Sequence, residues 1–122
     1  MPLVEIYAEA ERIEALSKKR YSIESALQHR VAETIGLRAG LFASKVAVRW
    51  VPVVRGSGST QVSIEIHYSS GGEIDPSEED ILEMVESIYI FLKMAAVLGK
   101  EVDIDIWAIP HLGAKYFRPE KN

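Results

Sequence analysis

Four segments of the chain alternate apolar and polar residues, and this alternation constrains the fold more than any other feature. A period of two is typical of half-buried β-strands, which place apolar side chains on one face and polar side chains on the other. Pro52 follows the second segment and indicates a bulge or an edge strand, because proline lacks the donor that a sheet ladder needs. The four segments are 4–8, 46–50, 62–68 and 102–106.

Two segments with helical periodicity lie between these strands. In the first, apolar residues recur every four residues from Ile23 to Ile35, and Ser22 offers an N-terminal cap. Gly36 and Gly40 are stop signals for this helix. An additional turn or two is expected over 12–18, where apolar residues sit three apart.

The second helix is predicted to open at Asp75 and Pro76, a capping residue followed by proline in the first helical position. Gly99 is expected to end it. Its apolar stripe consists of Ile81, Val85, Ile88, Leu92 and Ala95.

The elements follow the order β-α-β-β-α-β, and the two halves resemble each other. We therefore predict one α+β domain over 1–122, with a first βαβ unit at 1–56 and a second at 60–122. The two consecutive βαβ units are expected to form a four-stranded sheet with two helices on one face. The other face is either solvated or turned towards a space between subunits. Its predicted residues are Glu5, Arg49, Glu65, His67, Asp103 and Asp105.

Composition excludes several kinds of chemistry. The 122 residues include no cysteine, which excludes disulfides, thiolate–metal sites and cysteine nucleophiles and is typical of a reducing cytoplasm. His29, His67 and His111 are far apart along the chain and no H-E-x-x-H motif is present, so neither a metal site nor a cofactor is expected. A net charge of −4, without clustered Lys and Arg, argues against a nucleic-acid partner.

Membrane association and export are not expected either. No apolar run reaches the roughly 18 residues that a membrane-spanning helix needs. The first residues carry neither a basic segment nor a long apolar run, so they do not predict a signal peptide. The expected location is the cytoplasm.

Pro2 is the remaining candidate for chemistry. A small second residue normally allows removal of the initiator Met1, and Pro2 would then carry a secondary amine instead of an amide. Burial or a nearby cation would lower the pKa of that amine and make it a general base. With Met1 retained there is no such amine, and a Met-Pro start is also common in chains without this chemistry.

The segment from Pro2 to Tyr7, with Arg12 after the strand, resembles the opening of the tautomerase superfamily, which includes 4-oxalocrotonate tautomerase and macrophage migration inhibitory factor. Residues 109–117 resemble an uncharacterised bacterial branch of that superfamily. The resemblance implies a homotrimer with helices outside and sheets inside. It also implies a cofactor-independent tautomerase or isomerase that acts on a small keto or enol carboxylic acid.

The same resemblance implies roles for individual residues. Pro2 would be the general base, and Arg12 would occupy the place of a carboxylate-binding arginine. Arg49 lies two residues beyond the usual second arginine, which corresponds to Ala47 here. An arginine fork suits a carboxylate because two parallel donors meet two oxygens. The further substrate-binding candidates are Arg55, Tyr116 and Phe117.

Other interpretations remain open at the level of sequence. Arg12 and Arg49 lie among acidic residues, so both are also candidates for structural ion pairs. The chain is then either an enzyme or a catalytically inactive trimer of the same fold. A ferredoxin-like regulatory domain that binds a small ligand has the same element order but interleaves its strands.

Overall fold

The computed structural model describes residues 2–36, 43–54, 60–70, 75–94, 98 and 101–112. The four strands are β1 (Leu3–Ala8), β2 (Ala47–Pro52), β3 (Val62–Ser70) and β4 (Ile104–Leu112). The helices are α1 (Ala10–Ala15), α2 (Arg20–Val31) and α3 (Glu78–Met94). Short 3-10 turns cover Ser17–Lys19 and Ala43–Lys45, and a π-helical turn over Ala32–Gly36 continues α2.

The four strands form one mixed sheet in the order β2-β1-β3-β4. Strands β1 and β2 are parallel, as are β3 and β4, and the two pairs meet through antiparallel pairing of β1 with β3. Each half of the chain therefore keeps its own strands adjacent. The ferredoxin-like alternative is wrong, because it requires strands of the two halves to interleave. Strand β2 lies at an edge of the sheet, which accommodates Pro52 at its end.

Strand and helix residues share one core on a single side of the sheet. Val4 and Ile6 of β1 and Ile64 and Ile66 of β3 are each at most 2% exposed. Burial of each such aliphatic side chain contributes about 1.5–3 kcal/mol. The helices cover this side with their predicted apolar stripes, so the two-helix, one-face arrangement is confirmed. Their fully buried members are Ile23, Leu27, Val31, Ile88 and Leu92.

The helix starts differ from prediction. Ser22 lies inside α2 and is exposed, so its assignment as the cap is wrong. The preceding 3-10 turn leads directly into α2, and the Lys19 N–H is satisfied by the Leu16 carbonyl at 2.9 Å.

Helix α3 begins later than the Asp75-Pro76 signal predicted. Ser77 is its cap, since Ser77 Oγ accepts from the Asp80 N–H at 3.0 Å. The Ser77 N–H donates to Asp80 Oδ2 at 3.3 Å, which completes a reciprocal capping arrangement. Three predicted helix positions lie outside the described residues. They are the stop signal Gly40, the stripe residue Ala95 and the predicted helix end Gly99.

The side of the sheet away from α2 and α3 is here called the polar face. Strand alternation places Glu5, Arg49, Glu65 and His67 on it, as predicted. Asp105 also lies there, opposite Ser63, whereas Asp103 precedes β4 and is exposed. An exposed tryptophan, Trp107, faces the same way, since it is the register partner of Glu65.

Candidate functional site

Pro2 lies immediately before β1 and is buried. Its carbonyl accepts a hydrogen bond from the Ala47 N–H at 3.1 Å, which extends the β1–β2 ladder by one position. Because β1 is an interior strand, Pro2 is held between β2 and β3.

A cleft lies on the helix side of the neighbouring strand, beside Tyr68. The antiparallel register of β1 and β3 pairs Leu3 with His67, so one further step places Tyr68 opposite Pro2. Burial raises the pKa of Tyr68, and the negative charge of Asp75 adds to that shift. Sequence reasoning identified Tyr68 only as part of the strand predicted over 62–68. The cleft has a volume of about 310 Å³ and is lined by Tyr68, Pro76, Glu78, Ile81, Leu82 and Val85.

Glu5 is the centre of a network on the polar face. It is the one buried charged residue among those described, with 6% of its surface exposed. Arg49, directly opposite on β2, forms a salt bridge with Glu5 Oε2. Tyr7 donates its hydroxyl to Glu5 Oε1 at 2.9 Å, and His67 Nε2 lies 3.2 Å from the same oxygen.

These contacts set the electrostatics of the network. Burial alone would raise the pKa of Glu5, but the hydrogen bonds from Tyr7 and Arg49, with the charges of Arg49 and His67, leave that pKa below its usual value. The same hydrogen bond to Glu5, together with burial, raises the pKa of Tyr7 to about 12. Glu5 is therefore held as a carboxylate and Tyr7 as a neutral phenol at neutral pH.

Two histidines meet beside Glu5, although they are distant along the chain. His67 Nδ1 lies 2.8 Å from His111 Nε2, and their ring centroids are 5.1 Å apart. His67 Nε2 also lies 3.0 Å from Glu65 Oε1. Sequence parity predicts only His67 on the polar face, and the β3–β4 register places His111 beside it. His29, by contrast, is exposed on α2, as expected of a helix-surface residue.

The predicted arginines lie in different places. Arg12 is half-buried in α1, after the carboxyl end of β1, and forms no salt bridge with any described residue. Pro2 lies at the other end of that six-residue strand, about 20 Å away. One chain therefore does not bring Pro2 and Arg12 together, whereas Arg49 is engaged with Glu5 in mid-sheet. The other substrate-binding candidates, Arg55, Tyr116 and Phe117, lie outside the described residues.

Comparison with solved structures identifies the fold. N1, a member of the cis-3-chloroacrylic acid dehalogenase family, superposes with a TM-score of 0.66 over 98% of this chain and 81% of its own, at 16% identity. The chain has the tautomerase fold. A fused wild-type 4-OT asymmetric trimer matches 98% of this chain and 94% of its own, with a TM-score of 0.63 and 14% identity.

A macrophage migration inhibitory factor-like protein from Entamoeba histolytica shares the tautomerase fold as well. It has a TM-score of 0.60 and 19% identity over 96% of this chain and 94% of its own. No family model matches the sequence, and comparison with curated proteins finds no match. The predicted resemblance is thus confirmed for the fold, at low sequence identity.

Two further findings concern the described residues. Their helices include none long and apolar enough to cross a membrane. The described side chains that could hold a metal ion together are Glu5, Glu65 and His67, whose ligand atoms all lie within 4.8 Å of one another.

Proposed function

We propose that this chain is a cofactor-independent tautomerase or isomerase of the cytoplasm. Its substrate would be a small keto or enol carboxylic acid, and its general base would be the amine of Pro2 after removal of Met1. The observation that carries this proposal is the position of Pro2, buried and hydrogen-bonded at the start of an interior strand of a tautomerase fold.

Burial suits Pro2 to act as a base. A secondary amine in water is mostly protonated at neutral pH, whereas burial disfavours the charged form and lowers the pKa. Ideal catalysis requires a pKa close to the working pH. The hydrogen bond between the Pro2 carbonyl and the Ala47 N–H fixes the direction of the amine, so little reorganisation precedes proton transfer.

Proton transfer by Pro2 needs no cofactor. The amine removes a proton from the carbon beside the keto group, and the electron pair of the broken C–H bond forms an enolate. The resulting ammonium then returns its proton to another atom of the conjugated system, which yields the tautomer and restores the free amine. A cation near the developing oxyanion stabilises the enolate.

Arg12 supports a site built from more than one copy of the chain. Its guanidinium forms no salt bridge with the described carboxylates, so it is available for a bidentate contact with a substrate carboxylate. Since one chain keeps Pro2 and Arg12 about a strand length apart, the site is proposed to combine Pro2 of one subunit with Arg12 of another. A homotrimer would also cover Trp107, which is 58% exposed on the polar face.

The cleft beside Tyr68 supports a small substrate. Its volume of about 310 Å³ is at the lower end of the range for small-molecule sites. Tyr68, which lines the cleft, lies on the strand next to Pro2, so the cleft is about one strand away from the proposed base.

Two experiments test the proposal, first mass spectrometry and then kinetics. Untagged protein should have the mass of the chain without Met1. Tautomerisation of phenylpyruvate and of 2-hydroxymuconate is then followed by ultraviolet absorbance. Pro2→Ala is expected to lower kcat by about 10²-fold or more. The matched control is Pro52→Ala, since Pro52 is exposed at the end of edge strand β2 and should leave the rate unchanged.

Two results would contradict the proposal. Complete retention of Met1 in natively expressed protein would leave an amide at Pro2. Tautomerase activity that survives Pro2→Ala unchanged would place the chemistry elsewhere. A trimer without activity on either substrate would favour the alternative, a catalytically inactive protein of the same fold.

A further inference from the structure

Three donor atoms converge on the polar face, apart from the proposed proline site. They come from adjacent strands: Glu5 on β1, and Glu65 and His67 on β3. His67 Nε2 lies 3.2 Å from Glu5 Oε1 and 3.0 Å from Glu65 Oε1. Ligands of a tetrahedral zinc ion with bonds of about 2.0 Å are themselves about 3.3 Å apart. The distances from His67 Nε2 to the two carboxylate oxygens are therefore close to the distances between ligand atoms around a zinc ion.

The charges of the cluster also favour a cation. Glu5 and Glu65 are direct register partners in the antiparallel pair β1–β3, and like charges in that position repel. Arg49 neutralises Glu5 from the Oε2 side, while Oε1 accepts the Tyr7 hydroxyl and also faces His67. A divalent metal ion between Glu5, Glu65 and His67 would offset the repulsion of the two carboxylates.

His111 provides the outer support that a metal-binding imidazole normally has. The 2.8 Å contact joins His67 Nδ1 to His111 Nε2, on the far side of the His67 ring from the carboxylates. When Nδ1–H donates to His111, Nε2 carries no hydrogen, and its lone pair then points at two carboxylate oxygens. A cation between these atoms would stabilise that tautomer, and a donated Nδ1–H is the usual second contact of a histidine that binds a metal.

We propose that Glu5, Glu65 and His67 bind a divalent transition-metal ion, with His111 as the residue that orients His67. One imidazole and two carboxylates, without sulfur, suit Zn²⁺. Three protein donors leave a coordination position for water. The absence of a metal motif in the sequence does not oppose this site, because its ligands meet through strand register and not through spacing along the chain. The site is independent of Pro2, so it can fail without affecting the proposed proton transfer.

Zinc binding to the full-length, untagged and chelator-treated chain tests the proposal. Isothermal titration with Zn²⁺ alone measures affinity and stoichiometry, and thermal unfolding with and without Zn²⁺ measures the stabilisation that follows from binding to the folded state. His111→Ala is expected to weaken binding by about 10–100-fold, as outer contacts do. Glu65→Gln and His67→Ala remove donors and should weaken it more. His29→Ala is the matched control, since His29 is exposed on α2.

Histidine NMR of the unmodified chain gives a second readout that no folding defect can obscure. The chain has three histidines, and Zn²⁺ should shift the imidazole signals of His67 and His111 while those of His29 stay in place. The site would be supported if the unmodified chain binds one zinc ion, if Glu65→Gln and His67→Ala lose that binding, and if His29→Ala keeps it. No binding by the unmodified chain, or binding that Glu65→Gln and His67→Ala leave unchanged, would overturn it. Shifts confined to His29 would overturn it as well.

Discussion

Arg49 forms a salt bridge with Glu5 across the parallel pair β1–β2, and the two partners differ sharply in exposure. The Glu5 side chain is 7% exposed and the Arg49 side chain 66%. The carboxylate therefore depends on this guanidinium, on Tyr7 and on His67 for the interactions that water would otherwise supply. Arg49 thus has a structural task on the polar face, whether or not it also contacts a substrate.

Removal of Arg49 should destabilise the chain. Arg49→Ala leaves the Glu5 carboxylate buried with one partner fewer, and loss of a partner to a buried polar group costs about 1–3 kcal/mol. Chemical denaturation at pH 7 measures the change in the free energy of unfolding. Arg20→Ala is the matched control, since the Arg20–Glu24 pair is exposed and its loss should cost about 0.5 kcal/mol or less. An equal decrease in the free energy of unfolding in Arg49→Ala and Arg20→Ala would contradict a special role for the buried carboxylate.

Glu5 should also make stability depend on pH on the acidic side. Its pKa in the folded chain is below the ordinary 4.5, because the Tyr7 and Arg49 contacts outweigh burial. A depressed pKa contributes stability that is fully present above the unfolded-state value, and that stability is lost as pH falls through the folded-state pKa. The free energy of unfolding should therefore fall more steeply below pH 4.5 in the natural chain than in Glu5→Gln. The free energy of unfolding is measured by urea denaturation at each pH. An equal pH dependence in the two chains would contradict a lowered pKa for Glu5.

Much of the architecture could be predicted from local patterns. Alternation identified all four strands, since each has a distinct apolar face, and parity placed Glu5, Arg49, Glu65 and His67 together on the polar face. The bounds were less accurate: β4 was predicted at 102–106 and lies at Ile104–Leu112. Residues 107–112 break the alternation, with Trp107 and Ile109 on the polar face, so periodicity could not extend the strand.

The contacts of the site could not be predicted in the same way, because they depend on register. A shift of β4 by two residues that moved His111 beyond Ser69 would keep it on the polar face and still separate it from His67. The pairing of Glu5 with both Arg49 and Glu65 likewise requires the order β2-β1-β3. Element order alone was also compatible with a ferredoxin-like sheet, so the strand order needed the structure.

The N-terminal cap of α3 gives a direct test of the revised helix start. Ser77→Ala removes the acceptor for the Asp80 N–H and should cost about 0.5–2 kcal/mol in thermal or chemical denaturation. Ser22→Ala, at the residue that the sequence wrongly indicated as a cap, should change stability little, since Ser22 lies exposed within α2. A larger loss from Ser22→Ala than from Ser77→Ala would contradict the observed helix starts.

Subunit mixing tests whether Pro2 and Arg12 act together across a subunit boundary. One strand length separates them within a chain, so Pro2→Ala and Arg12→Ala homo-oligomers should each be nearly inactive, yet mixed oligomers should contain intact sites. If each site takes Pro2 and Arg12 from neighbouring copies, random assembly from equal amounts would leave about one quarter of all sites intact. The two variants are unfolded together, refolded and assayed with phenylpyruvate. The control mixture combines Pro2→Ala with Lys18→Ala, since Lys18 is an exposed cation beyond α1. Its activity should follow the share of chains that keep Pro2. No recovery in the mixture of Pro2→Ala with Arg12→Ala, despite proven hetero-oligomers, would mean that the two residues do not act together across a subunit boundary.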